Sequence, residues 1–222
     1  MDAATLAAKL ARAGAISARQ LGAPALIYRP QSAGAAIAPG NIVGQTNLAV
    51  AAEAARSYGR PNLPKQPYWY ALLDTSVVNA GDYLVRDDVA FGAEDGGTWF
   101  VAALQLHLPP LLVACNSTVT VSRPGGAVSG AAYYGGDVTA TPILTSWPAS
   151  VLPGTKGERG DTNLPGDTRM GWKAIILPPN VPAQIRSSDI ITDSAAQPMH
   201  YTVSCADDTG SGWLISAALT VA

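Results

Sequence analysis

Short apolar runs separated by turn residues dominate the chain, and most of them follow the pattern of β-strands. The clearest set lies within residues 81–123, where Gly81-Asp82 is followed by apolar runs at 83–85, 99–101, 111–115 and 117–121. These runs are rich in β-branched and aromatic residues, and Gly, Pro and Asn stand between them. That composition is typical of strands joined by turns, so it predicts a small antiparallel β-barrel or sandwich.

A shorter set near the C-terminus echoes this order. Ser188-Asp189 corresponds to the Gly81-Asp82 turn, and apolar runs at 200–204, 212–216 and 218–221 follow it. The chain is therefore expected to be mainly β, with two related antiparallel β-barrel or sandwich-like units, an N-terminal helix and extended arms.

One stretch departs from the strand pattern. Residues 3–21 predict a helix, which Asp2 can cap and Gly22 can end. Its apolar positions recur at three- and four-residue steps: Leu6, Leu10, Ala13 and Ile16. The stripe is narrow and rich in alanine, which suits close packing against a neighbouring subunit or, more commonly, against the rest of the same chain.

Two segments are predicted to be extended or irregular. Pro61, Pro64 and Pro67 favour polyproline II, and the aromatic residues 68–70 that follow can lie across another surface or tuck onto their own core. Residues 154–166 have glycines at intervals of three with a break, which predicts a charged surface loop containing Lys156 and Arg159.

These patterns predict four regions. They are a helix and arm over 1–67, a first β-unit over 68–123, glycine- and proline-rich loops and a linker over 124–171, and a second β-unit over 172–222.

Composition narrows the class of partner. Charged residues make up 14% of the chain, against about a quarter in a typical globular protein. Either partner subunits cover much of the surface, or alanine and glycine have simply displaced charged residues. A net charge of −2 argues against binding to nucleic acid, which requires a basic surface. No apolar run reaches the length of a spanning helix, and the N-terminus does not read as a secretory signal, so we expect synthesis in a cytoplasm.

The two cysteines, Cys115 and Cys205, lie among apolar residues of predicted strands, at roughly corresponding places in the two units. We expect both to be buried and reduced. Four tryptophans are predicted to lie in the core, whereas Trp147 before Pro148 is a candidate contact residue: the four are Trp69, Trp99, Trp172 and Trp213.

The sharpest enzymatic pattern is Asp74-Thr75-Ser76 after two leucines, which matches the short aspartic-protease motif. The second carboxylate would have to come from Asp208, which precedes Thr209-Gly210 in a polar segment rather than after an apolar strand. The simpler interpretation is that both aspartates cap turns. His107 and His200 have no metal-ligand spacing, and no phosphate loop is present. No catalytic residue, metal or cofactor is predicted.

The pattern Gly-Asp-Tyr-Leu-Val at 81–85, with the Leu-Leu-Val-x-Cys-Asn segment at 111–116, resembles the small β-barrel proteins of tailed-phage virions. Ser188-Asp189, the Tyr-x-Val of 201–203 and the closing 212–216 resemble head-completion and tail-joining proteins of the same particles. Tyr28-Arg29-Pro30 and the similar 58–61 resemble proteins of prophage structural modules.

The resemblance implies a structural protein of the virion, assembled in the host cytoplasm. It would be a neck or tail protein that forms a ring with portal, neck or tail neighbours. Alternatives in the same particle are a fibre- or baseplate-attachment protein and a capsid-decorating protein. The candidate subunit-interface residues are Leu6, Leu10, Ile16, Tyr28, Pro64, Pro67, Tyr68, Trp147, Lys156 and Arg159.

Overall fold

The computed structural model describes residues 2–51, 67–86, 97–105, 108–125, 140–154 and 171–220. Within them the protein is mainly β, with one α-helix, a short 3-10 helix at Pro39–Asn41 and twelve strands. The α-helix α1 spans Ala3–Leu21. The strands are β1 (Ala23–Tyr28), β2 (Ile42–Ala51), β3 (Tyr68–Leu72), β4 (Tyr83–Arg86), β5 (Thr98–Ala103), β6 (Leu111–Ala114), β7 (Ser117–Pro124), β8 (Ala140–Pro153), β9 (Trp172–Leu177), β10 (Ile190–Asp193), β11 (His200–Thr209) and β12 (Gly212–Leu219).

The strands form two antiparallel sheets, and the six strands of each pair in a closed ring. Barrel 1 has the order β1-β2-β3-β6-β5-β4, and barrel 2 has the order β7-β8-β9-β12-β11-β10. Each strand of barrel 1 therefore has a counterpart at the same place in barrel 2. The predicted fold class, with its N-terminal helix, is confirmed.

The two barrels also share their strand register. Ala25 of β1 lies opposite Thr46 and Arg86, and Val119 of β7 lies opposite Trp147 and Asp193. The register slips after Val101 in β5 and after Val203 in β11, so even this irregularity recurs. The β7–β8 pairing has one further slip, between Val119 and Val121, that the β1–β2 pairing lacks. Apart from it the correspondence is residue by residue, and it pairs the turn at Gly81-Asp82 with that at Ser188-Asp189.

The barrels do not follow the expected region boundaries. Barrel 1 begins at β1 and takes in β2, which lie in the segment expected to be a helix and arm. Barrel 2 begins at β7 and includes β8, which lies in the expected linker. The strand β8 was not predicted because it contains prolines. Pro142 and Pro148 lie in its first part, which pairs only with β7, whereas the part from Ser150 onward pairs with β9. A proline with no strand on its nitrogen side loses no ladder hydrogen bond.

The helix has the predicted bounds and the predicted caps. Asp2 Oδ1 accepts a hydrogen bond from the backbone N–H of Thr5 at 2.8 Å, and the N–H of Gly22 donates to the carbonyl of Ala18 at 2.8 Å. The face against the protein is not the leucine stripe, however. It consists of small residues, among which Ala18 is fully buried: Ala7, Ala11, Gly14, Ala15 and Ala18. Small side chains let the helix axis approach the barrel closely.

Two apolar clusters make up the core. One fills barrel 1 and includes Leu48, Leu84 and Trp99. The other fills barrel 2 and continues onto the outer surface of barrel 1, where it includes Tyr83 and Phe100. The second cluster therefore joins the barrels. In the described part of the chain, no helix is long and apolar enough to cross a membrane.

Candidate functional site

An arginine–aspartate pair ties the end of β1 to the turn before β4. Arg29 Nε and Nη2 donate to the two carboxylate oxygens of Asp82 at 2.8 and 2.7 Å, and the N–H of Asn79 donates to Asp82 at 2.7 Å. The Asp82 side chain is 2% exposed and that of Arg29 is 34% exposed. The hydrogen bond to Asp82 raises the pKa of the Arg29 guanidinium. This geometry is bidentate and charge-assisted, the strongest form of such a pair.

Barrel 2 repeats this pair at the corresponding residues. Arg123 Nε and Nη2 donate to the carboxylate of Asp189, both at 2.9 Å, and the N–H of Arg186 donates to Asp189 at 2.8 Å. The side-chain exposures are again 34% and 2%. One addition is the carbonyl of Gln184, which accepts from Arg123 Nη2 at 2.6 Å.

Each aspartate also locks the turn in which it lies. The N–H of Gly81 donates to the carbonyl of Val101 at 2.8 Å, and the N–H of Val101 donates to the carbonyl of Asp82 at 2.9 Å. Ser188 and Asp189 make the same two bonds with Val203, both at 2.8 Å. Every oxygen of the two carboxylates has a donor, so the pairs brace turns and leave no carboxylate free for chemistry.

A small cavity lies between the two barrels, beside the Arg29–Asp82 pair. Its volume is about 130 Å³, and Arg29 and Asp82 line one side while Trp147, Pro179 and Asn180 line the other. Asn180 Nδ2 bridges the gap by donating to the carbonyl of Ala80 at 3.2 Å. Because the charged groups at its wall are already paired, the cavity suits a few water molecules better than a substrate.

Aromatic side chains form the main contact between the barrels. The ring of Tyr83 meets those of Phe100 and Trp147 edge to face, each with centroids 6.1 Å apart. Tyr83 Oη donates to the carbonyl of Pro148 at 2.8 Å, and Trp147 Nε1 donates to the carbonyl of Gly34 at 2.8 Å. Burial of these rings with satisfied polar ends makes the two barrels one packed unit.

The backbone of α1 lies close to the backbone of barrel 1 at two glycines. A Cβ added at Gly14 would lie 2.8 Å from the carbonyl oxygen of Leu73, and one at Gly22 would lie 2.6 Å from the backbone of Leu48. Apolar side chains outside this contact are partly exposed: Leu10 is 44% exposed, Ile16 49% and Leu21 74%. Leu10 and Leu21 border the packed face, and Ile16 lies opposite it.

The candidate interface residues fall into three groups. Leu10, Ile16 and Tyr68 are exposed, and Leu6 is half-buried. Tyr28, Pro67 and Trp147 are buried within the chain. Trp147 is therefore a core residue of the barrel junction rather than a surface contact. Pro64, Lys156 and Arg159 lie outside the described residues.

The aspartates of the protease motif lie apart in the fold. Asp74 follows β3 of barrel 1, and its carboxylate accepts from the N–H and the hydroxyl of Ser76 at 3.0 and 2.6 Å. This is the turn-capping role that the simpler interpretation gave it. Asp208 lies in β11 of barrel 2, opposite Trp213, so it is not a turn residue. The described residues contain no group of three His, Cys, Asp or Glu side chains that could hold a metal ion.

The cysteines do not correspond to each other, and only one is buried. Both are free thiols; Cys115 is buried and Cys205 is exposed. The N–H of Cys115 donates to the carbonyl of Thr98, and in barrel 2 Thr220 makes the matching bond to His200. The prediction that both cysteines pack in corresponding places is therefore wrong for Cys205, because its strand turns it outward past the register slip of β11.

Comparisons with protein-family models, with curated proteins and with solved structures each gave no match to this chain.

The sequence analysis did not predict the two ion pairs, Arg29–Asp82 and Arg123–Asp189. Two signals could have pointed to them: Arg-Pro occurs at Arg29-Pro30 and again at Arg123-Pro124, and an aspartate follows each predicted turn at Asp82 and Asp189.

Proposed function

We propose that the protein is a structural subunit of a tailed-phage particle, in the neck or tail, where it assembles with copies of itself and with neighbouring virion proteins. The proposal rests on the resemblance of its strand motifs to virion β-barrel proteins. Alternative places in the same particle are fibre or baseplate attachment and capsid decoration.

The observation that carries a role in assembly is the outer face of α1. Leu10 and Leu21 are large apolar residues on one side of the helix, and they are 44% and 74% exposed. They flank the alanine-rich face that packs on barrel 1. Large apolar side chains exposed along one side of a helix fit a surface that a partner covers.

The barrels suit the role of a rigid body. Their junction is built from buried aromatic rings and the Tyr83–Pro148 hydrogen bond, and the turns beside it are fixed by bidentate ion pairs. A rigid body keeps its binding surfaces at fixed angles, which a closed ring requires of each subunit.

The first test is the mass of the full-length protein in solution by light scattering, followed by negative-stain microscopy. A ring or another defined multimer is expected. Leu10→Lys combined with Leu21→Lys should reduce that multimer to single chains, since each change places a charge in an apolar contact.

The matched control is Ala8→Lys, because Ala8 is also exposed on α1. It should leave the multimer intact. A monomer at all concentrations, together with absence of the chain from purified particles by mass spectrometry, would overturn the proposal.

A further inference from the structure

The internal repeat shows where a β-barrel docks on another β-barrel. Barrel 1 lies against β8 of barrel 2 and against the residues that follow β9. The contacts are the bonds of Tyr83 to Pro148 and of Asn180 to Ala80, and the approach of Gly81 to the carbonyl oxygen of Pro179. We call this surface of barrel 2, formed by 145–149 and 178–180, the acceptor surface.

Barrel 1 has its own copy of this surface, in β2 and after β3. The register makes Thr46 and Asn47 the counterparts of Trp147 and Pro148. In barrel 1, α1 covers this place: Ala18 and Arg19 line a small cavity together with Thr46, Asn47 and Asp74. Gly14 also approaches the carbonyl oxygen of Leu73, at the end of β3. The helix thus occupies on barrel 1 the position that barrel 1 occupies on barrel 2.

The complementary face, which we call the donor face, is buried in barrel 1 and only partly buried in barrel 2. In barrel 1 it consists of the outward residues Tyr28, Tyr83, Phe100, Val113 and Cys115, all buried under barrel 2. The same register positions in barrel 2 are Ser122, Ile190, Thr202, Ala218 and Thr220. None of these five is fully buried.

The donor face of barrel 2 and the acceptor surface of barrel 1 are both more polar than their counterparts at the barrel junction. Thr202 and Thr220 replace apolar residues on the donor face, and their hydroxyls hydrogen-bond each other at 2.8 Å. On the acceptor side, Thr46 and Asn47 stand where barrel 2 has Trp147 and Pro148. Three of the five donor positions in barrel 2 and both of these acceptor positions in barrel 1 are therefore polar, which suits contact of the one surface with the other.

We propose that α1 is a removable cover, and that its displacement lets the donor face of a second copy's barrel 2 dock on barrel 1. The contact is heterologous, head to tail, so it repeats from copy to copy and generates a ring or a filament. This inference rests on the proposed function and names the partner at one surface: another copy of the same chain.

Two features of α1 favour its release from barrel 1. Its buried face consists of alanines and a glycine, so little apolar surface is returned to water when it leaves. Of its four large apolar side chains, Leu10, Ile16 and Leu21 are already 44%, 49% and 74% exposed, and Leu6 is half-buried.

The test uses the full chain with the helix loosened by Ala18→Glu, which places a carboxylate at a fully buried position of α1. The matched control is Ala13→Glu, at an exposed position of the same helix. Both changes are made in the Leu10→Lys/Leu21→Lys background, so that the leucine face cannot assemble. Mass photometry of the Ala18→Glu variant should then show dimers and longer chains that increase with concentration, at least tenfold more than in the control. Circular dichroism checks that the barrels stay folded; if they do not, Gly14→Val loosens the same contact.

Directionality comes from blocking the donor face with Thr202→Arg. In the same Leu10→Lys/Leu21→Lys background, Ala18→Glu/Thr202→Arg can only accept, and Ala13→Glu, with its cover in place, can only donate. Each alone should remain a single chain, and a mixture should give a one-to-one pair. Failure of the mixture to pair would overturn the proposal.

The two proposals fail differently. If Ala18→Glu assembles but Thr202→Arg has no effect, the head-to-tail contact is wrong and the assembly role stands on the leucine face alone. If neither the wild-type chain nor any loosened variant forms a multimer and the chain is absent from particles, the assembly role fails as well.

Discussion

At the scale of single residues, the repeated ion pairs are the most constrained feature of the fold. Asp82 and Asp189 are each almost fully buried and each accept two hydrogen bonds from an arginine and one from the backbone. Their recurrence at one register position in two barrels, with the same exposures, indicates that the turn before β4 and β10 needs this brace.

We expect Asp82→Asn and Asp189→Asn each to lower the free energy of unfolding by about 2–4 kcal/mol, because each leaves a partly buried arginine without its countercharge. Denaturant unfolding followed by tryptophan fluorescence measures the loss. Asp208→Asn is the control, since Asp208 is exposed, and it should stay within about 0.5 kcal/mol of the wild type. Equal effects of all three variants would show that the pairs contribute little.

The two thiols should differ in reactivity. One equivalent of a maleimide is expected to react with the native protein, at the exposed Cys205, and a second only after denaturation. The hydrogen bond from Cys205 to Asp207 raises the pKa of the thiol. Asp207→Asn should therefore speed labelling at pH 8, whereas Asp208→Asn should not. Unchanged rates in both variants would mean that Asp207 does not hold the thiol protonated.

At the scale of elements, the helix and most strands could be predicted because their patterns are local. The helix bounds follow from Asp2 and Gly22, and the runs at 172–177 and 111–115 contain strands as expected. The strand β8 was not predicted, because it pairs with one neighbour in its first part and another in its second. A strand that is paired on one side only tolerates glycine and proline, and these residues interrupt the sequence pattern by which a strand is predicted.

The site was harder to predict than the elements because its groups are distant in the sequence. Arg29 and Asp82 are separated by 53 positions and Arg123 and Asp189 by 66, and each aspartate in isolation looks like an ordinary turn residue. The repeat of Gly81-Asp82 as Ser188-Asp189 and that of Arg-Pro at 29–30 and 123–124 are visible in the sequence, but only the strand registers reveal that each arginine faces its aspartate.

The residue before each aspartate offers a reciprocal test of the turn. Gly81 has φ +91° and Ser188 has φ 73°, a region that favours glycine. Gly81→Ser should lower the free energy of unfolding by about 2 kcal/mol or more, because a Cβ there would lie 2.7 Å from the carbonyl oxygen of Pro179. Ser188→Gly should leave it unchanged or raise it by up to about 1 kcal/mol. Thermal and denaturant unfolding of both variants measure the two effects, and similar losses in both would contradict this account of the turn.

At the scale of the whole molecule, the buried aromatic junction makes the two barrels one unit. Burial raises the pKa of the Tyr83 phenol and of the Cys115 thiol, and burial with the hydrogen bond to Asp193 raises the pKa of Tyr201 to about 12. These groups are therefore held protonated in the folded protein at pH values where an unfolded chain would release the protons.

Stability should consequently fall at alkaline pH. Below about pH 8 these groups are protonated in both states, so they cause no pH dependence there; as the pH approaches and passes the ordinary values of 9.0 for cysteine and 10.0 for tyrosine, the unfolded chain ionises first. Urea midpoints at pH 7, 8 and 10.5 should be nearly equal at the first two and lower at the third. Tyr83→Phe should lower the midpoint at pH 7, because the bond to Pro148 is lost, and should reduce the further drop at pH 10.5. A drop as large as in the wild type would show that Tyr83 does not contribute.

Each barrel is built from one uninterrupted stretch of chain, and only Cys115 and Asn116 stand between the last strand of the first and the first strand of the second. None of the described strands is exchanged between them, and the order of the strands matches throughout, with one register slip in the β7–β8 pairing that the β1–β2 pairing lacks. An in-frame tandem duplication of a gene for a single barrel produces this arrangement in one step.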